Sequence, residues 1–557
     1  MGRLRSGARV ISSLLIANRG EIAVRIIRTC RDLEVVPVVV HSDSDASACH
    51  VALADESHHL PGTTAAETYL NSTAIIDAAL SAGADAIHPG YGFLAESAEF
   101  AAAVVDAGLI WIGPPPEAIA ALGDKIEARR IAMQAGVSVV PGLLDPITDH
   151  DEVTSFGSEF GYPIVVKAVA GGGGRGLKIA DNPKDVRDAL ESARREARTY
   201  FGSDDVYVEK YLEAPKHLEV QILAPAAGAA LSLGVRDCSL QRRHQKLIEE
   251  TPPPLWADRA GAMGAAAVDL AGAAGYVNAG TVEFLVDEDG NFYFLEVNSR
   301  LQVEHTVTEE VFGVDLVASQ LKIASGEDLG LEQRELTTRG HAIECRINAE
   351  DPTTFLPAPG RLSRFVPPAG PGVRVDAGYA SGDIVPAEYD SLIAKVVTSG
   401  PDRGVALRRM RRALTEFVVE GVPTTIPAQL RLLEDAEFQS GRHTTRTVAD
   451  GPGLPPDLVS SGVVRVRSRL WNPAMSAAAA PAAPAAGAGE LVAPMQGTVI
   501  DIRVAPGDAV EVGDALVVLE AMKMETVLTA PRAGKATEVH ATVGRPVGAG
   551  DLLVVIE

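Results

Sequence analysis

Two groups of residues in this chain have the types and spacing to do chemistry, and a third has the form of a carrying arm. The first group is Glu283, Glu296 and Asn298. Alternation along Phe294-Leu295-Glu296-Val297-Asn298 puts Glu296 and Asn298 on one face of a strand, and the turn Asp287-Glu288-Asp289-Gly290-Asn291 returns that strand beside the one carrying Glu283. Three converging oxygen donors suit a hard cation, Mg2+ or Mn2+, which keeps positions open for phosphate oxygens. Paired acids on a hairpin are often only solvated, but Phe294 and Leu295 between them and the run Arg300-Leu301-Gln302-Val303-Glu304-His305 directly after argue for a built site. The Arg300 guanidinium offers a planar fork to a small oxyanion.

The second group is the glycine run Gly171-Gly172-Gly173-Gly174-Arg175-Gly176. It contains G-x-G-x-x-G, yet a dinucleotide fingerprint needs a helix to follow, whereas Leu177-Lys178-Ile179 reads as a strand; Gly-Lys-Ser/Thr is also missing, which excludes a P-loop. Strand, glycine loop, strand is left, a hairpin whose backbone N–H groups can close over phosphates. The third feature is Lys523 in Ala521-Met522-Lys523-Met524-Glu525. It falls at the junction of an internal duplication: an offset of 37 (530 − 493) aligns Ala493-Pro494 with Ala530-Pro531, Gly507 with Gly544, Gly513 with Gly550, Asp514 with Asp551 and Glu520 with Glu557. Each half reads as short alternating strands with Pro-Gly and Gly-Asp turns, so the halves are expected to pack as a small flattened barrel with Lys523 on a tight hairpin.

The elements that must position these residues begin as an open parallel sheet. Ser13–Ala17, a helix from about Glu21 to Asp32, Val35–Val40, a helix from about Asn71 to Ala82 and Ala86–His88 alternate as βαβ units up to Gly113-Pro114-Pro115-Pro116. A middle region from Lys125 carries both chemical groups, and β-rich sequence at 341–351 and 389–398 closes the body by about residue 450. From Asn472 to Gly489 the sequence collapses to Ala, Pro and Gly, an extended tether with a reach on the order of 50 Å. At 557 residues the chain has room for several domains. A net charge of −24 argues against nucleic acid as a general partner, no apolar run is long enough to span a bilayer, and Cys30, Cys49, Cys238 and Cys345 lie too far apart for a zinc or disulfide framework, all of which fit a cytoplasmic protein. The N-terminal Met1-Gly2-Arg3-Leu4-Arg5-Ser6 matches a myristoylation pattern by accident.

Over Leu15 to about residue 445 the chain resembles the biotin carboxylase family of ATP-grasp enzymes. The resemblance is carried by Ala17-Asn18-Arg19-Gly20-Glu21-Ile22-Ala23, His88-Pro89-Gly90-Tyr91-Gly92-Phe93-Leu94, Glu209-Lys210-Tyr211, His217-Leu218-Glu219-Val220-Gln221, Arg236-Asp237-Cys238-Ser239-Leu240-Gln241-Arg242-Arg243-His244-Gln245-Lys246, Glu344-Cys345-Arg346-Ile347-Asn348-Ala349-Glu350 and Tyr389-Asp390-Ser391-Leu392. The Lys523 module resembles the biotinyl domain family; lipoyl domains share the barrel but generally lack the paired methionines, so Met522 and Met524 favour biotin. Departures at Val297, Ser299 and Ala95–Ser97 are expected to touch no site residue.

The resemblance implies an α/β fold: an N-terminal open parallel sheet domain at 1–116, an ATP-grasp domain with a glycine-rich lid at 117–335, a C-terminal β-rich domain at 336–450, a linker at 451–489 and an all-β biotinyl domain at 490–557. It places Lys125, Lys167, Gly173, Gly174, Glu209, Lys210, Tyr211, Leu212, His217, Gln241 and His244 around ATP, and Glu283, Glu296 and Asn298 on the metal. Lys246, Arg300, Gln302 and Val303 would bind bicarbonate, Glu304 would be the activating base, Arg346 would stabilise the biotin enolate, and Lys523 would carry biotin as an amide. The implied reaction is ATP-dependent carboxylation of biotin through carboxyphosphate, in the α subunit of an acyl-CoA carboxylase acting on acetyl- or propionyl-CoA. The implied partners are a separate carboxyltransferase β subunit, a biotin protein ligase and a second copy of the body, with no nucleic acid and no membrane. Another ATP-grasp ligase and a non-catalytic biotinylated scaffold are the alternatives; the biotinyl module opposes the first and the metal and bicarbonate constellation the second. After co-expression with a biotin ligase, intact mass is expected to show one biotin adduct that disappears in Lys523→Arg; an adduct persisting in that variant would remove Lys523 as the attachment point.

Overall fold

A computed structural model describes residues 10–143, 146–147, 149–169, 177–201, 203–242, 245–450, 489–493, 497–521, 524–548 and 550–557. Gly173, Gly174, His244, Met522, Lys523, the tether up to residue 488 and the first nine residues therefore lie outside the described residues. The first region is a five-stranded parallel sheet in the order Glu56–His59, Val36–His41, Ser13–Ile16, Ala86–His88, Ile110–Trp111. Its order reverses at Ser13–Ile16, and beyond the carboxyl ends of the two strands flanking that switch the chain is tied together: Asn18 Nδ2 donates to Pro89 O at 2.7 Å and to Tyr91 O at 2.8 Å.

The body's main sheet has eight antiparallel strands in the order Phe292–Asn298, Asn278–Val286, Lys216–Ala224, Leu231–Arg242, Gln245–Thr251, His341–Asn348, Leu392–Gly400, Val373–Ala377. It runs unbroken across the boundary expected at 335–336, through the ladder between Gln245–Thr251 and His341–Asn348. One face of Lys216–Ala224 is apolar: Leu218, Val220 and Ile222 pack with Val282, Phe284, Phe294 and Val297 against Met263, Ala267 and Leu270 of the helix Ala260–Ala273. Period-2 alternation then forces His217, Glu219 and Gln221 onto the opposite face, where charge has to be buried.

Strict alternation fails at two positions that matter. Glu283 pairs with Glu296 but Phe284 pairs with Phe294, so Leu295 is an extra residue in a bulge. The bulge lets Phe294 enter the core with Val297 while Glu296 and Asn298 stay on the polar side, which corrects the plain alternation read from the sequence. A second bulge at Leu247, between the pairs Leu240↔Ile248 and Gln241↔Lys246, sends Leu247 and Ile248 together into the core and turns Lys246 the other way.

A separate three-stranded antiparallel sheet, Leu177–Ala180, Ile164–Ala168, Val206–Lys210, is backed by the helices His150–Phe160 and Val186–Phe201. The strand after the glycine run is present, in register Ile164↔Ala180 to Lys167↔Leu177. The C-terminal module forms two four-stranded sheets. Its duplication is visible in the core, where Val499 and Ala536, Leu516 and Leu553, Val517 and Val554, and Leu519 and Ile556 are buried at equivalent positions. Asp514 Oδ2 accepts from Glu511 N, and the equivalent Asp551 Oδ2 from Gly548 N, both at 2.8 Å. The hairpin register ends at Ala521↔Met524.

Among the described residues no helix is long and apolar enough to cross a membrane. The first region and the main sheet meet closely at Gly378, where an added Cβ would lie 2.4 Å from Glu21 N and 2.5 Å from Gly20 C. Gly378→Ala is expected to cost about 1–3 kcal/mol by overpacking against backbone, read as a lowered Tm; an unchanged Tm would show that this contact gives way.

Candidate active site

Glu219, Glu283 and Glu304 converge on one ammonium. Lys246 Nζ donates to Glu219 Oε2 at 2.6 Å, to Glu304 Oε1 at 2.6 Å and to Glu283 Oε1 at 2.9 Å. Burial alone would lower Lys246, but the three carboxylates outweigh it and hold the ammonium well above its ordinary value. Burial likewise pushes Glu304 up, and Lys246, Arg346 and Arg236 overcome it, keeping Glu304 well below the usual carboxylate range. Glu304 is also the N-cap of the helix His305–Phe312, where the positive end of the helix favours its charge. Arg346 on the strand His341–Asn348 reaches Glu304 Oε2 from Nη2 at 2.9 Å and Glu249 Oε1 from Nε at 2.6 Å.

Beneath this layer lies Arg236, fully buried. It donates to Glu219 Oε1 at 2.5 Å, Gln221 Oε1 at 2.7 Å, Thr308 Oγ1 at 2.9 Å, Thr281 Oγ1 at 3.1 Å and Gln302 Oε1 at 2.7 Å. Gln302 passes the connection on, its Nε2 donating to Glu283 Oε1 at 2.8 Å. Val303 is fixed from the far side by Lys395, a fully buried residue of Leu392–Gly400 whose Nζ donates to Val303 O at 2.9 Å. Arg300 donates to Asn298 Oδ1 at 2.8 Å and Glu96 Oε2 at 3.0 Å, and Glu96 also accepts from Ser299 N at 3.2 Å. The stretch Ala95–Ser97, expected to touch no site residue, therefore does touch one, through Glu96.

Glu283 and Glu296 are register partners on adjacent strands. Burial raises Glu296, the charge of Glu283 adds to it, and Lys125 opposes both. Among the described residues Glu296 has no hydrogen bond, so of two facing carboxylates one is answered only by the nearby charges of Lys125 and His217, which fits a hard divalent cation. In this arrangement Glu283 and Asn298 are already engaged: Asn298 Nδ2 donates to Glu283 Oε1 at 2.9 Å, and His217 Nε2 lies 2.9 Å from Glu283 Oε2 without hydrogen-bond geometry. A magnesium ion held here by Glu283, Glu296 and Asn298 would take oxygens from those contacts. The neighbouring acids around Glu219 enclose the Lys246 ammonium instead of a metal.

Glu209 is bonded to both Lys167 and Arg129. Burial lowers Lys167 to about 7, and Lys125 and Arg129 add to that, while the charge of Glu296 pulls the other way. Lys125 opens the helix Lys125–Gln134, where a cation opposes the helix dipole; burial lowers it and the charge of Glu296 holds it up. Gln241 sits across from Lys246 in the hairpin register. Lys210 is turned elsewhere, its Nζ on Gly161 O at 3.0 Å and Tyr162 O at 3.1 Å. Tyr211 N donates to Pro163 O at 3.1 Å, and Leu212 is half-buried beside it.

Four family models match the chain in succession: biotin carboxylase, N-terminal domain over 10–119; carbamoyl-phosphate synthase L chain, ATP binding domain over 124–332; biotin carboxylase C-terminal domain over 344–450; and biotin-requiring enzyme over 489–556. Biotin carboxylase 1 of Bacillus subtilis is 49% identical over 440 residues, covering 78% of this chain and 98% of that protein. The chain belongs to the biotin carboxylase family. The biotin-dependent acyl-coenzyme A carboxylase alpha3 subunit of Mycobacterium leprae is 46% identical over 568 residues, covering 93% of this chain and 94% of that protein. Among solved structures, the biotin carboxylase domain dimer of Hydrogenobacter thermophilus 2-oxoglutarate carboxylase, in complex with MgADP, ADP and bicarbonate, superposes with a TM-score of 0.76 at 43% identity, covering 79% of this chain and 98% of that one.

This biotin carboxylase is thus an ATP-dependent carboxylating ligase that uses biotin, ATP and Mg2+. Sequence reading gave no role to Arg236, Glu219, Glu249, Glu96 or Lys395. A signal for Glu219 was available: His217-Leu218-Glu219-Val220-Gln221-Ile222 alternates perfectly, so a buried polar face had to exist. Lys395 carried no such signal in a strand that otherwise reads as apolar.

Lys246→Met should strand three buried carboxylates and destabilise the body by about 3–5 kcal/mol. Glu283 and Glu304, which Lys246 holds below their ordinary range, would then titrate higher, so stability is retained in acid and lost as pH rises. The Tm deficit against wild type is expected to grow from pH 5 toward pH 8; a deficit independent of pH would show that Lys246 does not neutralise them.

Proposed function

We propose that this chain is the α subunit of an acyl-CoA carboxylase, carboxylating its own biotin for a separate carboxyltransferase β subunit that hands the carboxyl group to acetyl- or propionyl-CoA. The observation that carries the reading is the joint presence, in one chain, of the Lys246–Glu304–Arg346 constellation and a duplicated all-β module whose paired strands Ala515–Ala521 and Met524–Thr529 flank Lys523 in sequence. It is supported by the similarity to the Mycobacterium leprae alpha3 subunit along nearly the whole length. The same reading divides the chain at 1–116, 117–335, 336–450, 451–489 and 490–557 and has the body pair as a homodimer, as the Hydrogenobacter thermophilus domain does by its description.

In this reading Lys125, Lys167, Glu209 and His217 surround ATP with Gln241, His244, Tyr211, Leu212 and the lid glycines Gly173 and Gly174, while Lys210 contributes from the edge. Glu283, Glu296 and Asn298 hold the metal. Bicarbonate lies among Lys246, Arg300, Gln302 and Val303. Its attack on the γ-phosphate brings anions together, and the cations lower that cost because they are already oriented and dry. Glu304 as found is too well paired to be a strong base. Anions entering beside Lys246 and Arg346 compete for those cations, so the pairing that depresses Glu304 weakens as substrate binds and its basicity rises toward the task. When attached, biotin supplies the nucleophilic nitrogen that accepts the carboxyl group, and Arg346 faces the negative charge developing on the ring oxygen.

The test is ATP cleavage that requires bicarbonate and is stimulated by free biotin, with identification of the β subunit that co-purifies. Glu296→Gln, which keeps volume and removes one anionic donor, is expected to lower turnover by at least about 10²-fold with an unchanged Tm. Normal turnover at limiting Mg2+ would take Glu296 out of the metal site. ATP cleavage indifferent to bicarbonate would favour another ATP-grasp ligase.

A further inference from the structure

Glu249 and Glu344 are register partners across Gln245–Thr251 and His341–Asn348, and both are 0% exposed. Two carboxylates directly opposite on a sheet repel, and do so most strongly out of water. Each has one oxygen engaged: Glu249 Oε1 accepts from Arg346 Nε at 2.6 Å, and Glu344 Oε2 accepts from Thr306 Oγ1. The other oxygen of each, Glu249 Oε2 and Glu344 Oε1, is buried with no hydrogen-bond partner among the described residues. A pair of acceptors without donors, on neighbouring carboxyls, is satisfied by a single proton between them.

We infer that Glu249 and Glu344 share one proton, carried on Glu344 Oε1 and donated to Glu249 Oε2, and that the pair is the positioning device for Arg346. The role of Arg346 rests on the function proposed above. The charges around the pair agree that it holds a proton, with the higher value at Glu249, and it is the Arg346 bond to Glu249 Oε1 that sends the proton to Glu344. Burial pushes Glu249 up to about 8 and Glu344 up to about 7; Arg346 and Lys246 oppose this at Glu249, and Lys395, Arg346 and the Thr306 hydroxyl oppose it at Glu344, while Glu304 adds to it at both and the charge of Glu344 adds to it at Glu249. The guanidinium bonded to Glu249 fixes the negative charge there, which leaves the proton on Glu344. One negative charge behind Arg346, instead of two, anchors the guanidinium while leaving its positive charge free to act on Glu304 and on an oxyanion in the site.

In infrared spectra of the full-length protein below neutral pH, wild type minus Glu344→Gln is expected to show one protonated-carboxyl C=O band, fading as pH rises through about 7 to about 8. Thr306→Val removes the hydroxyl bonded to Glu344 and is expected to move that same band to higher frequency without abolishing it, a reading that survives even if the Gln variant does not fold. On biotin-dependent ATP cleavage, Glu344→Gln, whose amide can donate as the carboxyl does, is expected to stay within about threefold of wild type, and Glu344→Ala to lose on the order of tenfold or more in kcat with KM for ATP unchanged. A difference spectrum without the band, or a Gln variant as impaired as Ala, overturns the shared proton. Wild-type turnover in Arg346→Ala would instead remove Arg346 from the site, a failure of the underlying reading that the band keeps separate from the fate of the proton.

Discussion

Glu219, Glu249, Glu283, Glu304 and Arg236 are buried on one face of the main sheet with the half-buried Lys246 and Arg346, and no charge in that set can stay there unless another answers it. Taking an ion out of water costs several kcal/mol, and the cost is met only where geometry is good and the remaining lone pairs are used. Most are used here: Arg236 spends its donors on five side chains, and Lys246 spends three on three carboxylates, while Glu249 Oε2 is left to the shared proton inferred above. The interlocking fixes each side chain before any substrate arrives, which is the preorganisation that stabilisation of developing charge requires.

The same constraint explains why the site draws on the whole body. Val303 is held by Lys395 from a strand late in the chain, and Lys395 also lies 3.2 Å from Glu21 of the first region. Arg300 is held by Glu96, again from the first region. Arg346 comes from a strand that continues the ATP-grasp sheet into the C-terminal part. A site assembled from three sequence regions responds to how those regions pack, and close backbone contact at Gly378 is part of what keeps them in place.

Much of this was legible in the sequence, because motifs and alternation are local. The parallel opening, the strand after the glycine run, the Glu283/Glu296 hairpin and the duplicated barrel all follow from period-2 patterns and turn residues. What could not be read was register. The bulges at Leu295 and Leu247 each shift a strand by one residue, and those shifts decide that Phe294 is core while Lys246 faces the carboxylates. The partners of Arg300, Val303 and Arg346 were illegible for a related reason: Glu96, Lys395 and Glu249 are far from them in sequence, and nothing local marks a charged residue as destined for burial. Lys210 shows the converse, a motif residue whose side chain is spent on the carbonyls of Gly161 and Tyr162.

The proposed reaction rests on the coupling between Lys246 and Glu304, one holding the other until anions displace it. A double-mutant cycle on bicarbonate-dependent ATP cleavage, with Lys246→Met, Glu304→Gln and both together, tests that coupling directly. If the pair acts as a unit, the double variant should be no slower than the worse single variant. Losses that simply multiply would contradict the account, since they would mean that the two residues serve the reaction independently.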